Sequence, residues 1–349
     1  MLRTLKQACL TVGRSCGLFK LASSSHFRNS RLLVLGYHGV SLEDEHHWKP
    51  ALFLSVDTFR RRMEALKRGG CTVLGLEEGL SLIAAGKLPE RAVVLTFDDG
   101  TCDFYRVVWP ILKEFGYPAT LYLTTYYVEL PYPIPRLIWS YMLWKADSLR
   151  VNASDLFGKN VMFDLASEYG RADALRQVMT FADSEKMDGH HRNALSAKLA
   201  QILGIDFEAL CHSRICQLLR PEEVHALAQD GVSVQMHMHH HLWYPATHEA
   251  FIHNLQANRQ LITKMTGSEP SHFCYPNGYY NLECVSWLRE YGVESATTCN
   301  SGLSSAKTDP LLLPRLIDSS YISDTGFESW LVGVGALISH VRAFMPRAA

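Results

Sequence analysis

The chain has 349 residues, 47% of them apolar, enough for one large domain or two ordinary ones around a substantial core. Its 34 lysines and arginines are matched by 35 aspartates and glutamates, so there is no global basic field of the kind that gathers nucleic acid. The nine cysteines are odd in number and include no C-x-x-C pair, which reads as reduced thiols rather than a disulfide framework.

Residues 1–30 form a basic segment: Arg3, Lys6, Arg14, Lys20 and Arg28 occur before the first acid, Glu43. Leu2, Leu5, Cys9, Val12, Cys16 and Phe19 recur at spacings of three and four, the stripe of an amphipathic helix. Such a helix either packs on the domain or lies on an anionic membrane surface. No apolar run approaches the roughly 20 residues of a spanning helix. Leu32–Leu35 is a short buried-strand run. Thr58–Arg68 carries Phe59, Met63 and Leu66 at helical spacing before Gly69-Gly70. Ala92–Phe97 is the strongest strand signal, followed by a helix over Trp109–Phe115 and a β-rich run over Ala119–Thr125. Pro221 followed by Glu222 and Glu223 marks a helix start. Val232–Met236 and Ser295–Thr298 are further strands, with a helix over His248–Met265 between them. The apolar run Trp330–Ser339 predicts a packed C-terminal helix within 321–349.

Alternating strands and helices predict an α/β fold with a mainly parallel sheet, open or closed into a barrel. The rhythm fails over 126–219, which opens with Pro131, Pro133 and Pro135 and continues helical and polar. That stretch reads as an insertion in a domain spanning 31–320.

Two segments carry chemistry. Asp98-Asp99-Gly100 ends the best strand, at the carboxyl end where α/β folds bind ligands. Adjacent carboxylates hinder each other's ionisation, a conflict that a metal ion relieves. His237-Met238-His239-His240-His241 then places four imidazoles in five positions. Two histidines with three residues between them plus a carboxylate make the open three-ligand set of a catalytic ion; His239 and His240 would then point elsewhere.

Thr96-Phe97-Asp98-Asp99-Gly100, His237-x-x-x-His241-Leu242 and Phe273-Cys274-Tyr275-Pro276-Asn277-Gly278 resemble, in order, the motifs of the polysaccharide deacetylase (NodB-homology) family. Leu35-Gly36-Tyr37-His38-Gly39 is similar to the Tyr-His start of its exopolysaccharide-modifying branch. The resemblance implies a distorted (β/α)7 barrel and a hydrolase that removes an N-acetyl group from an amino sugar of a polysaccharide or lipid-linked glycan. Formyl or ester substrates share that chemistry, and a non-catalytic glycan- or metal-binding relative is the alternative. It implies that Asp99, His237 and His241 hold one divalent ion, Zn²⁺ first, with Co²⁺, Ni²⁺ or Fe²⁺ accepted by the same donors. It further implies Asp98 as base, His38 as general acid and Arg315, in Pro314-Arg315, as the group that orients the base. The Tyr275-Pro276-Asn277-Gly278 loop then supplies an oxyanion N–H, and His340 is the rival acid of an unpermuted arrangement. Met238, Cys274 and Asn277 depart from the Ser or Thr, Arg and Tyr common in the family. Trp48, Trp139, Trp144 and Trp243 are candidates to stack on sugar faces. With no export signal legible, the expected setting is the cytoplasm or the cytoplasmic face of a membrane.

Overall fold

The structure, a computed structural model, describes residues 2–241 and 247–343, without the side chains of residues 2–6, 9 and 339–343. Leu242 and Trp243 therefore lie outside the described residues, as does the side chain of His340.

Eight parallel strands form the central sheet: β1 (Leu33–Tyr37), β2 (Thr72–Leu74), β3 (Ala92–Phe97), β4 (Thr120–Leu123), β5 (Ser233–Met236), β6 (His272–Cys274), β7 (Ser295–Thr297) and β8 (Leu316–Ile317). The order is β7-β6-β5-β4-β3-β1-β8. β2 and β4 share one edge of β3, β2 pairing from Ala92 to Val94 and β4 at Thr96 and Phe97. A parallel bridge between Thr297 and Leu313, just ahead of β8, joins the ends of the order. There Leu313 N–H donates to Ala296 (2.9 Å) and Thr298 N–H to Leu313 (2.9 Å). The sheet thus curls into a distorted seven-stranded barrel, with β2 outside the ring.

Both faces of the strands are buried, which is why they read as continuous apolar runs. On β1, Leu33, Leu35 and Tyr37 pack outward with Phe59, Met63 and Leu66 of the helix Val56–Arg68. Val34 points the other way, into a cluster with Val94 and Tyr122 that also takes Leu76 and Ile83 of the helix Leu76–Ala84. That helix closes one end of the barrel and leaves the carboxyl ends of the strands open.

The insertion has its own core, in which Trp139, Met142, Val178 and Leu199 are fully buried. It contains the helices Pro135–Lys145, Glu168–Ser184 and Gly189–Leu203, and an antiparallel pair, Arg150–Asn152 with Met162–Asp164, that its polar sequence does not announce. Trp139 donates its indole N–H to Ser196 (2.7 Å) inside this core, so it cannot stack on a sugar. Trp144 packs against the same core, and Trp48 lies between Phe53 and Tyr141.

Residues 2–29 are helical (Leu2–Ser15, Leu18–Ser23, His26–Asn29) and dock on the helix Asp324–Leu331. Arg14 pairs with Glu328 (3.1 Å), and Ser323 Oγ donates to Gln7 (2.6 Å). The docked face matches the expected stripe only in part: Phe19 is buried, but so is Leu10 outside the stripe, and Val12 and Cys16 are exposed. The C-terminal run is two helices, because Gly333 at φ 86° ends Asp324–Leu331 before Val334–Ala343 begins. The eight described cysteines are all free thiols. No described helix is long and apolar enough to cross a membrane.

Candidate active site

The predicted residues meet at the carboxyl ends of the strands, where barrel folds carry their chemistry. His38 follows β1, Asp98 and Asp99 follow β3, His237 follows β5, Tyr275 follows β6, and Arg315 immediately precedes β8. Gly100, at φ 84°, lets the chain turn off β3; a Cβ there would lie 2.2 Å from Leu123.

The adjacent aspartates turn to different partners. Asp98 is buried, and Arg315 grips both its oxygens, Nη1 to Oδ1 at 2.7 Å and Nη2 to Oδ2 at 2.8 Å. Arg315 is fully buried and also donates to Thr298 O, Thr96 Oγ1 and Cys274 Sγ. Burial pushes the Asp98 carboxyl up, but the Arg315 guanidinium outweighs it, helped by His237 and His38, and holds it below its usual range. Residue pattern alone left one ion to relieve both acids, and only the family resemblance pointed to Arg315. In the fold, Asp98 has a fixed guanidinium of its own.

Asp99 instead faces two imidazoles: His237 Nε2 and His241 Nε2 each lie 3.2 Å from its Oδ1. His237 Nδ1 donates to the Cys274 carbonyl at 2.8 Å, so in the neutral ring Nε2 offers a lone pair toward Asp99. Oδ1 of Asp99 is buried and receives no hydrogen bond of proper geometry. Three potential ligand atoms thus converge on one point, an arrangement that a cation would satisfy. Ligand bonds of about 2.0–2.2 Å at tetrahedral angles separate ligand atoms by about 3.4 Å, close to these spacings. The carbonyl behind His237 is the outer partner that metal-bound imidazoles usually have. The donor set therefore fits a divalent ion such as Zn²⁺.

His38 Nε2 stands 4.0 Å from Asp98 Oδ2, with its side chain partly open to solvent. In the loop after β6, Tyr275 N–H bonds Thr297, Gly278 N–H bonds Tyr275 and Tyr279 N–H bonds Pro276. Pro276 has no N–H, so Asn277, at φ 55°, holds the loop N–H that remains for a ligand. Gly278, at φ 72°, permits the turn to sit on Cys299.

The sequence did not reveal what braces the histidine loop. Asn258 accepts the His237 N–H (3.0 Å) and donates to Leu123 O and Thr125 Oγ1; Asn254 accepts from His239 N–H (2.7 Å) and His240 N–H. Both lie one turn apart on the helix His248–Thr266, a spacing that could have drawn notice. They do the bracing that a Ser or Thr at position 238 would do; Met238 is itself buried. His239 and His240 point away from Asp99, His239 Nδ1 meeting Thr125 Oγ1 (2.9 Å).

A family model described as polysaccharide deacetylase matches residues 85–146 and 177–296, more than half of the chain. The chain belongs to the polysaccharide deacetylase family. Among curated relatives, it is 30% identical over 112 residues to the poly-beta-1,6-N-acetyl-D-glucosamine N-deacetylase of Escherichia coli, covering 32% of this chain and 16% of that protein. It is 35% identical over 75 residues to the Staphylococcus aureus protein of the same name, 22% of this chain and 26% of that one. The chain therefore spans a minor part of these relatives. In fold it is similar to the Streptococcus pyogenes deacetylase PplD (TM-score 0.56, 19% identity, 85% of this chain and 96% of that one). It is also similar to IcaB from Ammonifex degensii (TM-score 0.55, 15% identity, 88% and 99%). These likenesses establish the barrel as the one such deacetylases share.

Proposed function

We propose that this polysaccharide deacetylase hydrolyses the N-acetyl group of an amino sugar in a polysaccharide or lipid-linked glycan, with Asp99, His237 and His241 holding one divalent ion, Zn²⁺ first. The observation that carries the reading is the convergence of that triad beside a second, guanidinium-bound carboxylate, Asp98. When bound, such an ion supplies Lewis acidity, lowering the pKa of a water from about 16 toward about 7.

The chain's own groups supply the rest. Asp98, fixed by Arg315, takes a proton from the attacking water. Asn277 N–H is offered to the carbonyl oxygen as it becomes an oxyanion, a donor type worth roughly 3–4 kcal/mol in other hydrolases. His38, across Asp98 and open to solvent, delivers a proton to the amide nitrogen as the C–N bond breaks. Water oxygen ends on the acyl carbon as acetate, and the sugar leaves as a free amine. A lipid-linked substrate met at an anionic membrane is part of the proposal; its support is the basic N-terminal segment, where Lys20 stands beside exposed Leu21.

The test is acetate release from a panel of N-acetylated glycans by the wild type, Asp98→Asn and His237→Ala, with and without a chelator. Asp98→Asn is expected to keep its metal and lose turnover by about 10²-fold or more. His237→Ala is expected to lose both. Equal release by all three would refute the assignment.

A further inference from the structure

At the opposite end of the barrel from the triad, a cavity of about 420 Å³ opens between the N-terminal helices and the helices Val56–Arg68 and Asp324–Leu331. Four cations line it, Arg14, Lys20, Arg68 and Arg91, against one acid, Glu328. They come from three separate stretches of the chain, so no single helix pattern explains their meeting.

Beneath the cavity lies Arg28, fully buried, whose guanidinium donates only to carbonyls: Leu331 O (2.6 Å), Arg31 O (2.9 Å) and Ala92 O (3.1 Å). Leu331 also lines the cavity. No carboxylate neutralises Arg28 among these contacts. Arg91 Nε is buried with no hydrogen-bond partner. Arg91 is held in place by Asn29 Oδ1, which accepts its backbone N–H (3.1 Å). A Cβ at Gly70 would lie 3.2 Å from Arg91 Nη2, so glycine there leaves the fork its room. The existing partners, Glu328 for Arg14, Glu64 for Arg68 and Glu90 for Arg91, are single contacts of 3.1–3.3 Å at least partly in solvent, and pairs of that kind hold weakly. Three guanidinium groups and an ammonium lining one cavity suit a tetrahedral oxyanion, which accepts from several directions at once.

We propose that this cavity binds a phosphate group. It is distinct from the metal triad: Arg28 bonds the first residue of β3 and Asp99 follows the last, a separation of roughly 20 Å along the strand. Exposed Leu18 and Leu21 flank Lys20, so the phosphate could come from a lipid headgroup as well as from solution. The proposal does not depend on the reaction at the other end.

The test uses metal-loaded full-length protein in two arms at physiological ionic strength. Inorganic phosphate and pyrophosphate are titrated calorimetrically, and phosphatidylglycerol vesicles are compared with phosphatidylcholine vesicles by co-sedimentation. Each arm compares the wild type with Arg68→Gln/Arg91→Gln and with Lys113→Gln/Lys264→Gln, which removes two charges elsewhere. Saturable binding that falls at least tenfold in the first pair and not in the second supports the site. The arm in which it occurs identifies the source. Absence of binding in both arms overturns the proposal, as does equal binding by the two double variants, which would include phosphate held at the metal triad. If Arg68→Gln/Arg91→Gln does not fold, Arg14→Gln/Lys20→Gln, at exposed positions, is read by the same criteria.

Discussion

Asp98 and Asp99 are neighbours in sequence yet occupy different electrostatic worlds. One faces a fixed organic cation and the other faces two imidazole nitrogens. A base must stay ionised and correctly aimed, and the two-point grip of Arg315 provides both. Arg315→Lys keeps a charge but loses the fork. Turnover should fall roughly 10–100-fold, with metal content by atomic absorption unchanged. Asp103 behaves in the opposite way. Burial raises its carboxyl to about 6 despite the Thr101 hydroxyl and the Val40 N–H (2.7 Å). Its folded pKa lies above the unfolded value, so its contribution is complete below pH about 4 and is lost as pH rises through about 6. Urea melts should therefore show the wild type losing stability relative to Asp103→Asn between pH 4 and 8, by about 1–3 kcal/mol. A pH-independent difference would show that Asp103 does not titrate there.

At the scale of elements, the helix His248–Thr266 fixes the ligand loop. Through Asn254 and Asn258 it ties the residues after β5 to the end of β4. Such ties hold unusual backbone: Asp99 (φ 70°), Met238 (φ 66°), His241 (φ 52°) and Asn277 (φ 55°) all adopt left-handed conformations around the site. Each costs of order 1–3 kcal/mol, which the surrounding contacts must offset. Asn258→Ala removes one acceptor and two donor bonds from a buried position. It should lower stability by about 1–3 kcal/mol and weaken metal binding by about 10–100-fold in a competition titration. Unchanged metal affinity would mean that the loop holds its shape alone.

For the whole molecule, an ion held between Asp99, after β3, and the histidines after β5 would bridge two separate chain segments, so its binding should be linked to folding. With metal at about 1,000 times its dissociation constant, linkage adds about 4 kcal/mol. Chelation should lower the melting temperature of the wild type and leave His237→Ala unmoved. Equal shifts in both would place the stabilising ion elsewhere.

The sequence by itself determined what local pattern can carry. The apolar run Ala92–Phe97 is the strand found, the paired acids fall at its carboxyl end, and the histidine cluster follows β5 as expected. Those signals are dense, short-range and chemically unusual. Three strands of two or three residues, β2, β6 and β8, were not legible, because so few positions show no period; β7, equally short, was read from its β-rich run. The closed ring and the pairing of Asp98 with Arg315 across 217 positions were legible only through the family resemblance, and the asparagine braces belong to tertiary structure alone. So does the gathering of four cations around one cavity at the far end of the barrel. Each depends on which chain segments the closed sheet brings side by side, and spacing along a polypeptide carries no record of that.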